Sequence, residues 1–165
     1  MDQLAGWGHA VTVASLTLLA VSLFAAGDEV PSVPLQVSVV AVQAKNEGRS
    51  SKYFGPGLER VRRAVSGLDY DSFYKVRSAD VPVPFGEEAK IYIDAQYTLY
   101  VTPLSVTQDK RIRIKARITM KSKEKTVKAL DTTLTMKPGS HLNLGGLRLS
   151  SGELIVVISV RQGGS

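Results

Sequence analysis

The sequence predicts an α+β domain: a mostly antiparallel β-sheet with one short helix packed on it, preceded by an N-terminal signal or anchor helix. Three patterns carry this expectation. Apolar and polar residues alternate over long segments, most cleanly from Ile112 to Met120. Only residues 57–68 repeat apolar side chains at helical spacing, and residues 10–26 form an uncharged, mostly apolar run of 17. The pattern leaves open whether a helix covers a single sheet or two sheets pack face to face.

The apolar run ends in Ala25-Ala26-Gly27, and Asp28 and Glu29 follow at once. Cleavage after Gly27 would place Ala25 and Gly27 at the two small-residue positions of a signal peptidase site. The first nine residues contain Asp2 and no Lys or Arg, which departs from a basic n-region. A retained anchor is the competing reading, although a spanning helix takes about 20 apolar residues. The expected organisation is a signal peptide or anchor over 1–27, a linker over 28–34, one β-rich domain over 35–162 and a tail over 163–165. The expected address is the periplasm, either free or tethered to the membrane facing it.

Pro31 and Pro34 mark the linker. Residues 34–44, rich in valine, read as a first strand, and the polar stretch 45–56 as a loop. In residues 57–68, Leu58, Val61, Val65 and Leu68 share a face opposite Glu59, Arg60, Arg62 and Arg63. Residues 72–77 read as a short strand, and residues 81–86, with Pro82 and Pro84, as an extended segment unfit for a sheet centre. The stripe of Ile91, Ile93, Ala95, Tyr97, Leu99 and Val101 is one bent strand or two strands joined near residues 94–96. The apolar phase then shifts at Leu104 and Val106, which predicts a bulge beside Pro103.

Ile112, Ile114, Ala116, Ile118 and Met120 alternate with Arg111, Arg113, Lys115, Arg117, Thr119 and Lys121. Residues 123–125 form the expected hairpin tip. Residues 126–136 return as a strand with a bulge near Ala129, where the apolar phase changes again. Residues 137–140 (Lys-Pro-Gly-Ser) are a turn, residues 141–149 a short strand interrupted by Gly145-Gly146, and residues 150–152 a further turn. Residues 154–160 are apolar on both phases, as expected of a strand in the middle of a covered sheet.

Cysteine is absent, which excludes disulfides, thiol catalysis, Cys-ligated zinc and lipidation at the cleavage site. An exported chain without cysteine fits a bacterial envelope better than a disulfide-stapled secreted domain. Without residues 1–27 the chain has 21 basic and 14 acidic residues, a net charge of +7, which favours anionic partners. Catalytic inventory is sparse. His141, the sole histidine of that part, follows the 137–140 turn and reads as an exposed strand-start residue. No nucleophile-elbow pattern flanks Ser140 or Ser150, and Glu87-Glu88, the nearest cluster to a metal site, reads as solvated at a strand start. Asp69 and Asp71 lie in a turn, where aspartate serves the backbone. The expectation is a protein with no enzymatic activity, no cofactor and no metal; a hydrolase built on His141 or a carboxylate pair is the remote alternative. Gly55-Pro56-Gly57 is followed by Leu58-Glu59, a tight turn rather than a phosphate cradle.

Arg111, Arg113, Lys115 and Arg117 project from one face of one strand about 7 Å apart, twice the strand rise. With Tyr92 and Tyr100 beside them they form the candidate binding surface. Cations with aromatic platforms suit single-stranded nucleic acid, but an exported protein rarely meets it, so no nucleic acid is expected. An envelope protein is the first candidate partner, and an anionic lipid or glycan the alternative; self-association stays open. Binding to lipid or glycan would fail at high salt, since exposed charges are screened over about 8 Å at physiological ionic strength.

Residues 97–147 resemble part of the secretin family, the ring-forming channels of bacterial secretion and pilus systems. Leu99-Tyr100-Val101-Thr102-Pro103, then a turn and the alternating strand 112–118, is similar to the secretin strand pair L-x-V-x-P … G-x-I-x-L-x-I. Residues 131–147, from Asp131-Thr132-Thr133 through Lys137-Pro138-Gly139 to Gly145-Gly146-Leu147, resemble the secretin hairpin that ends in G-G-L. The chain lacks the repeated periplasmic domains and the length of a channel wall. The resemblance therefore implies a relative or accessory protein, with a structural role in a secretion or pilus assembly and no catalytic residues to carry over.

Overall fold

A computed structural model of the chain describes residues 27–123 and 125–163. The expected signal or anchor, the hairpin tip at Glu124 and the end of the tail thus lie outside the described residues, Gly27 excepted. Among the described residues, nine strands and one short helix run in the order β1 (Leu35–Lys45), β2 (Tyr53–Phe54), α1 (Arg62–Val65), β3 (Ser72–Val83), β4 (Ala89–Tyr92), β5 (Tyr97–Val106), β6 (Ile112–Ser122), β7 (Lys125–Met136), β8 (His141–Arg148) and β9 (Glu153–Gln162). They form a five-stranded sheet, β2-β3-β1-β9-β8, and a four-stranded sheet, β4-β5-β6-β7. Every pairing is antiparallel except the short parallel contact of β2 with β3.

Of the two open architectures, two packed sheets is the one found. The main core lies between the sheets, where Leu35, Val37, Val39 and Ala41 of β1 and Leu154, Val156, Ile158 and Val160 of β9 meet Leu99, Val101, Ile112, Ile114, Ala116 and Ile118. A second core lies on the opposite face of the five-stranded sheet. There Val42, Ala44, Phe73, Ile155 and Val157 pack against Leu58, Val61 and Val65. This explains why β9 is apolar on both phases: it sits between β1 and β8 with one face in each core. Tyr97, buried in β5, ties the layers together by donating its hydroxyl to the Arg148 carbonyl at 2.8 Å.

Residues 57–68 do not form the expected three-turn helix. Only Arg62–Val65 is α-helical, and turns flank it. Gly57 holds φ +78, a left-handed conformation outside any helix, and its N–H is taken by the Glu59 carboxylate at 3.0 Å. Hydrogen bonds of the i→i+3 kind, Val61 to Leu58 and Leu68 to Val65, tighten both ends. The apolar spacing still serves its purpose, because Leu58, Val61 and Val65 are all buried. The second correction is β3, a single strand over 72–83 rather than a short strand and a separate extended piece. Pro82 is tolerated because β2 covers only Ser72 and Phe73, which leaves the outer side of β3 unpaired at the proline.

The irregularities of the four-stranded sheet fall where the phase changes predict them, whereas the bulge of β3 at Val76, opposite Ala41 and Val42, has no such signal. Register shifts occur between Pro103 and Ser105 and, on β7, around Ala129 opposite Ile118 and Thr119. The stripe from Ile91 divides into β4 and β5 around a turn in which the Asp94 carboxylate accepts the N–H groups of Gln96 and Tyr97. β8 is continuous, with a register shift across Gly145-Gly146 in place of an interruption. The turn at 137–140 carries the chain from the four-stranded sheet to the five-stranded one, so β7 and β8 do not form a hairpin.

The stretch 45–56, expected as a loop, contains β2, and the loop that precedes β2 is held by carboxylates. Asp71 accepts the backbone N–H of Glu47 and Arg49 at 2.9 Å and the Ser72 hydroxyl at 2.6 Å. These bonds, the Ser72 hydroxyl foremost, lower its pKa to about 2. Glu47 is also lowered to about 2, chiefly by Lys45 and then by the Tyr74 hydroxyl. Both groups ionise more readily folded than unfolded, so their stabilisation is complete above the ordinary carboxylate range and disappears as the pH falls from about 5 towards 2. Thermal midpoints should therefore decline over that window, and Asp71→Asn should flatten the decline while lowering the midpoint at pH 7. An equally steep decline in Asp71→Asn would remove Asp71 as a cause.

Candidate functional site

The outer face of the four-stranded sheet has no covering element among the described residues. Strand alternation builds it. On β6 the inward residues Ile112, Ile114, Ala116 and Ile118 are fully buried, so Arg113, Lys115 and Arg117 must point outward. Arg111 precedes the strand on the same phase. Antiparallel register then aligns Lys90, Tyr100, Arg117 and Asp131 in a row across all four strands. A neighbouring row holds Tyr92, Thr98, Thr119 and Lys128.

The structure brings the six sequence-predicted residues onto this one face and adds what the sequence reading missed: every ladder cation has a carboxylate beside it. Arg111 lies 2.7 Å from Asp109, Arg113 3.5 Å from Asp28, Lys115 4.0 Å from Asp131 and Arg117 2.9 Å from Glu88. Arg117 donates to both Glu88 oxygens at 2.9 Å. Hydrogen bonding from the Thr107 hydroxyl, and secondarily the charge of Arg111, lowers the pKa of Asp109. Lys128 also reaches Asp131, at 3.2 Å.

At the β4 end the face changes character. The Arg117 guanidinium lies 4.4 Å from the Tyr100 ring centre, and the Lys90 ammonium stands 4.8 Å from the Tyr92 ring and 6.0 Å from that of Tyr100. The Tyr92 hydroxyl, and then the neighbouring Tyr100, raise the pKa of Lys90. Tyr92 is 57% exposed. The result is a cation–aromatic corner on a face whose four ladder cations each have a carboxylate beside them. The pairing of Glu88 and Asp131 with the ladder escaped sequence reasoning because nothing local marks it; long-range register alone sets them beside Arg117 and Lys115.

His141 takes the strand-start place that its position after the 137–140 turn predicts. It is exposed at the start of β8, on the rim of a groove of about 660 Å³ on the far face of the five-stranded sheet. One register row there runs Asp80, Ser38, Ser159, His141 across β3, β1, β9 and β8. The Ser38 hydroxyl donates to Asp80, and Arg60 lies 3.6 Å from the same carboxylate. Three strand spacings separate Asp80 from His141, about 14 Å, so the row assembles no Ser-His-Asp relay. The signal for this groove was present as Ser38 and Ser159, single hydroxyls inside apolar strands. Asp71 is spent on loop amides, as its turn position suggests.

Among the described residues no group of three or more His, Asp or Glu is placed to hold a metal ion. No helix among them is long and apolar enough to cross a membrane. Comparison with protein-family models, with curated proteins and with solved structures finds no match to this chain.

Proposed function

We propose that this protein is a non-catalytic interaction module of the bacterial envelope that docks a protein partner on the outer face of its four-stranded sheet. The single observation that carries the reading is the pairing of Arg111, Arg113, Lys115 and Arg117 with Asp109, Asp28, Asp131 and Glu88. A polyanion such as a lipid surface or an acidic glycan would have to strip these carboxylates away or sit against them. A protein surface of mixed charge matches them without that cost. The corner of Lys90, Tyr92, Tyr100 and Arg117 supplies the aromatic and arginine content that dominates protein contacts, and its partner should offer a carboxylate between the two rings. The export signal read in residues 1–27 sets the compartment, and the secretin-like strand pattern makes a secretion or pilus assembly the proposed setting.

The test is Arg113→Glu with Arg117→Glu in the tagged full-length chain, read by cross-linking in intact cells and pull-down from the envelope fraction. Loss of an Arg anchor costs about 2 kcal/mol or more, roughly 30-fold in affinity, so the recovered partner should vanish while the thermal midpoint stays within a few degrees. Undiminished recovery overturns the docking face. Recovery of the chain alone from wild-type cells, with binding to anionic vesicles that fails at high salt, replaces the protein partner with a lipid.

A further inference from the structure

We propose that residues 130–136 of β7 form an open sheet edge whose occupant is the same segment of a second copy of this chain, running antiparallel to it. The inference concerns an edge rather than the face discussed above, and stands or falls separately from it.

An unpaired strand edge exposes a row of backbone donors and acceptors, and folded proteins blunt such edges with short strands, charge, proline or bulges. The other edges here are blunted. β2 has two residues and β4 four. Beyond β4, the free side of β5 is met by Gly86, whose N–H reaches the Pro103 carbonyl at 2.7 Å, and by Glu29, which exchanges backbone hydrogen bonds with Val106. Beyond β2, β3 carries Lys75, Arg77, Asp80 and Pro82, with Val76 as the bulged residue opposite Ala41 and Val42. β8 is kinked at Gly145-Gly146, and its Asn143 donates to the Ala64 carbonyl at 2.7 Å.

β7 is the exception. It has 12 residues and, among the described residues, pairs with β6 alone. Its first half is guarded by Lys125, Lys128 and the bulge at Ala129. Its second half, Leu-Asp-Thr-Thr-Leu-Thr-Met, has one charge, and Lys115 and Lys128 already neutralise it. Leu130 and Leu134 point into the sandwich yet remain only half-buried, because no strand of the described residues lies outside them.

The segment is complementary to itself. A two-fold axis at Thr132 sets Leu130 of one copy opposite Leu134 of the other on the inward side, Asp131 opposite Thr133 on the outward side and threonine opposite threonine at the centre. No like charges meet within this stretch, and both leucines gain the neighbour they lack. The interface is isologous, as two-fold contacts must be, and joins two four-stranded sheets into one of eight strands.

The absence of native cysteine makes the test direct. Thr132→Cys and Thr133→Cys in the full-length chain place one thiol at or beside the axis, and Lys90→Cys on β4 is the control. A short bis-maleimide spans the diagonal gap between two copies of residue 133 as well as the direct gap at 132. On a denaturing gel of intact cells it should give a dimer of twice the monomer mass at positions 132 and 133, at least tenfold more than at 90. Adding Thr132→Lys to Thr133→Cys should abolish the cross-link without lowering the thermal midpoint, since an inward lysine on a half-exposed edge blocks strand addition. Equal cross-linking at 90, cross-linking to a different protein or a monomer throughout would each overturn the proposal.

Discussion

Gly152→Ala should destabilise the fold by about 3 kcal/mol or more, the sum of a left-handed alanine and an overpacked contact. Gly152 closes the turn between β8 and β9 at φ +81. A Cβ there would lie 2.3 Å from the Ala44 carbonyl oxygen and 2.8 Å from the Lys45 Cβ. Both obstacles belong to β1, the strand that β9 pairs with along its whole length, so neither can move without opening the centre of the five-stranded sheet. Gly139→Ala separates the two causes. Gly139 has a similar φ of +77, but nothing lies within 4 Å of its added Cβ. It should cost only the backbone penalty, about 1–2 kcal/mol. Urea unfolding of the two variants measures the difference, and equal losses would mean that the contact with β1 relaxes freely.

The strands that were legible are those with one buried and one solvated face. On β6 the buried set, Ile112 to Ile118, and the outward set, Arg113 to Arg117, follow the pleat without interruption, and phase changes alone located the bulges beside Pro103 and at Ala129. β3 was harder because it has no such contrast. Its charged residues fall on both phases, one side of the strand being a free edge for most of its length. Helical spacing in 57–68 reported correctly which residues are buried and misreported the helix, since a 3₁₀-rich turn puts side chains three apart on one face just as an α-helix does.

The candidate face was legible as a list of cations and opaque as an electrostatic object. Arg113 and Asp28 are distant in sequence, as are Arg117 and Glu88; their pairing follows from β4 lying beside β5 and from the chain entering along β5 at Glu29. Composition therefore overstated the positive character of the ladder. It also hid the division of the other sheet's outer surface, where Val42 and Ala44 lie under α1 while Ser38 floors an open groove two turns of the pleat away.

That division makes the second core a separable source of stability, and Phe73→Ala should show it, with an expected loss of about 3–5 kcal/mol. Phe73 is fully buried. Its ring stacks on Phe54 at 4.9 Å and 4°, and Tyr70 meets it edge-on at 6.5 Å. Removing the ring leaves β2 without its main contact and strips the floor from under Leu58, Val61 and Val65. A four-residue helix has no stability of its own, so residues 53–68 should open first. Native-state hydrogen exchange should accordingly quicken at the amides of Val65, Ser66 and Leu68 well before those of β5 and β6. Ile158→Ala, which cuts into the core between the sheets, should cost about 2–5 kcal/mol and lower protection in both sheets together. If Phe73→Ala exposes the β5 and β6 amides as readily as Ile158→Ala does, the two cores unfold as one, and the small helical cover is integral to the sandwich rather than a layer added to it.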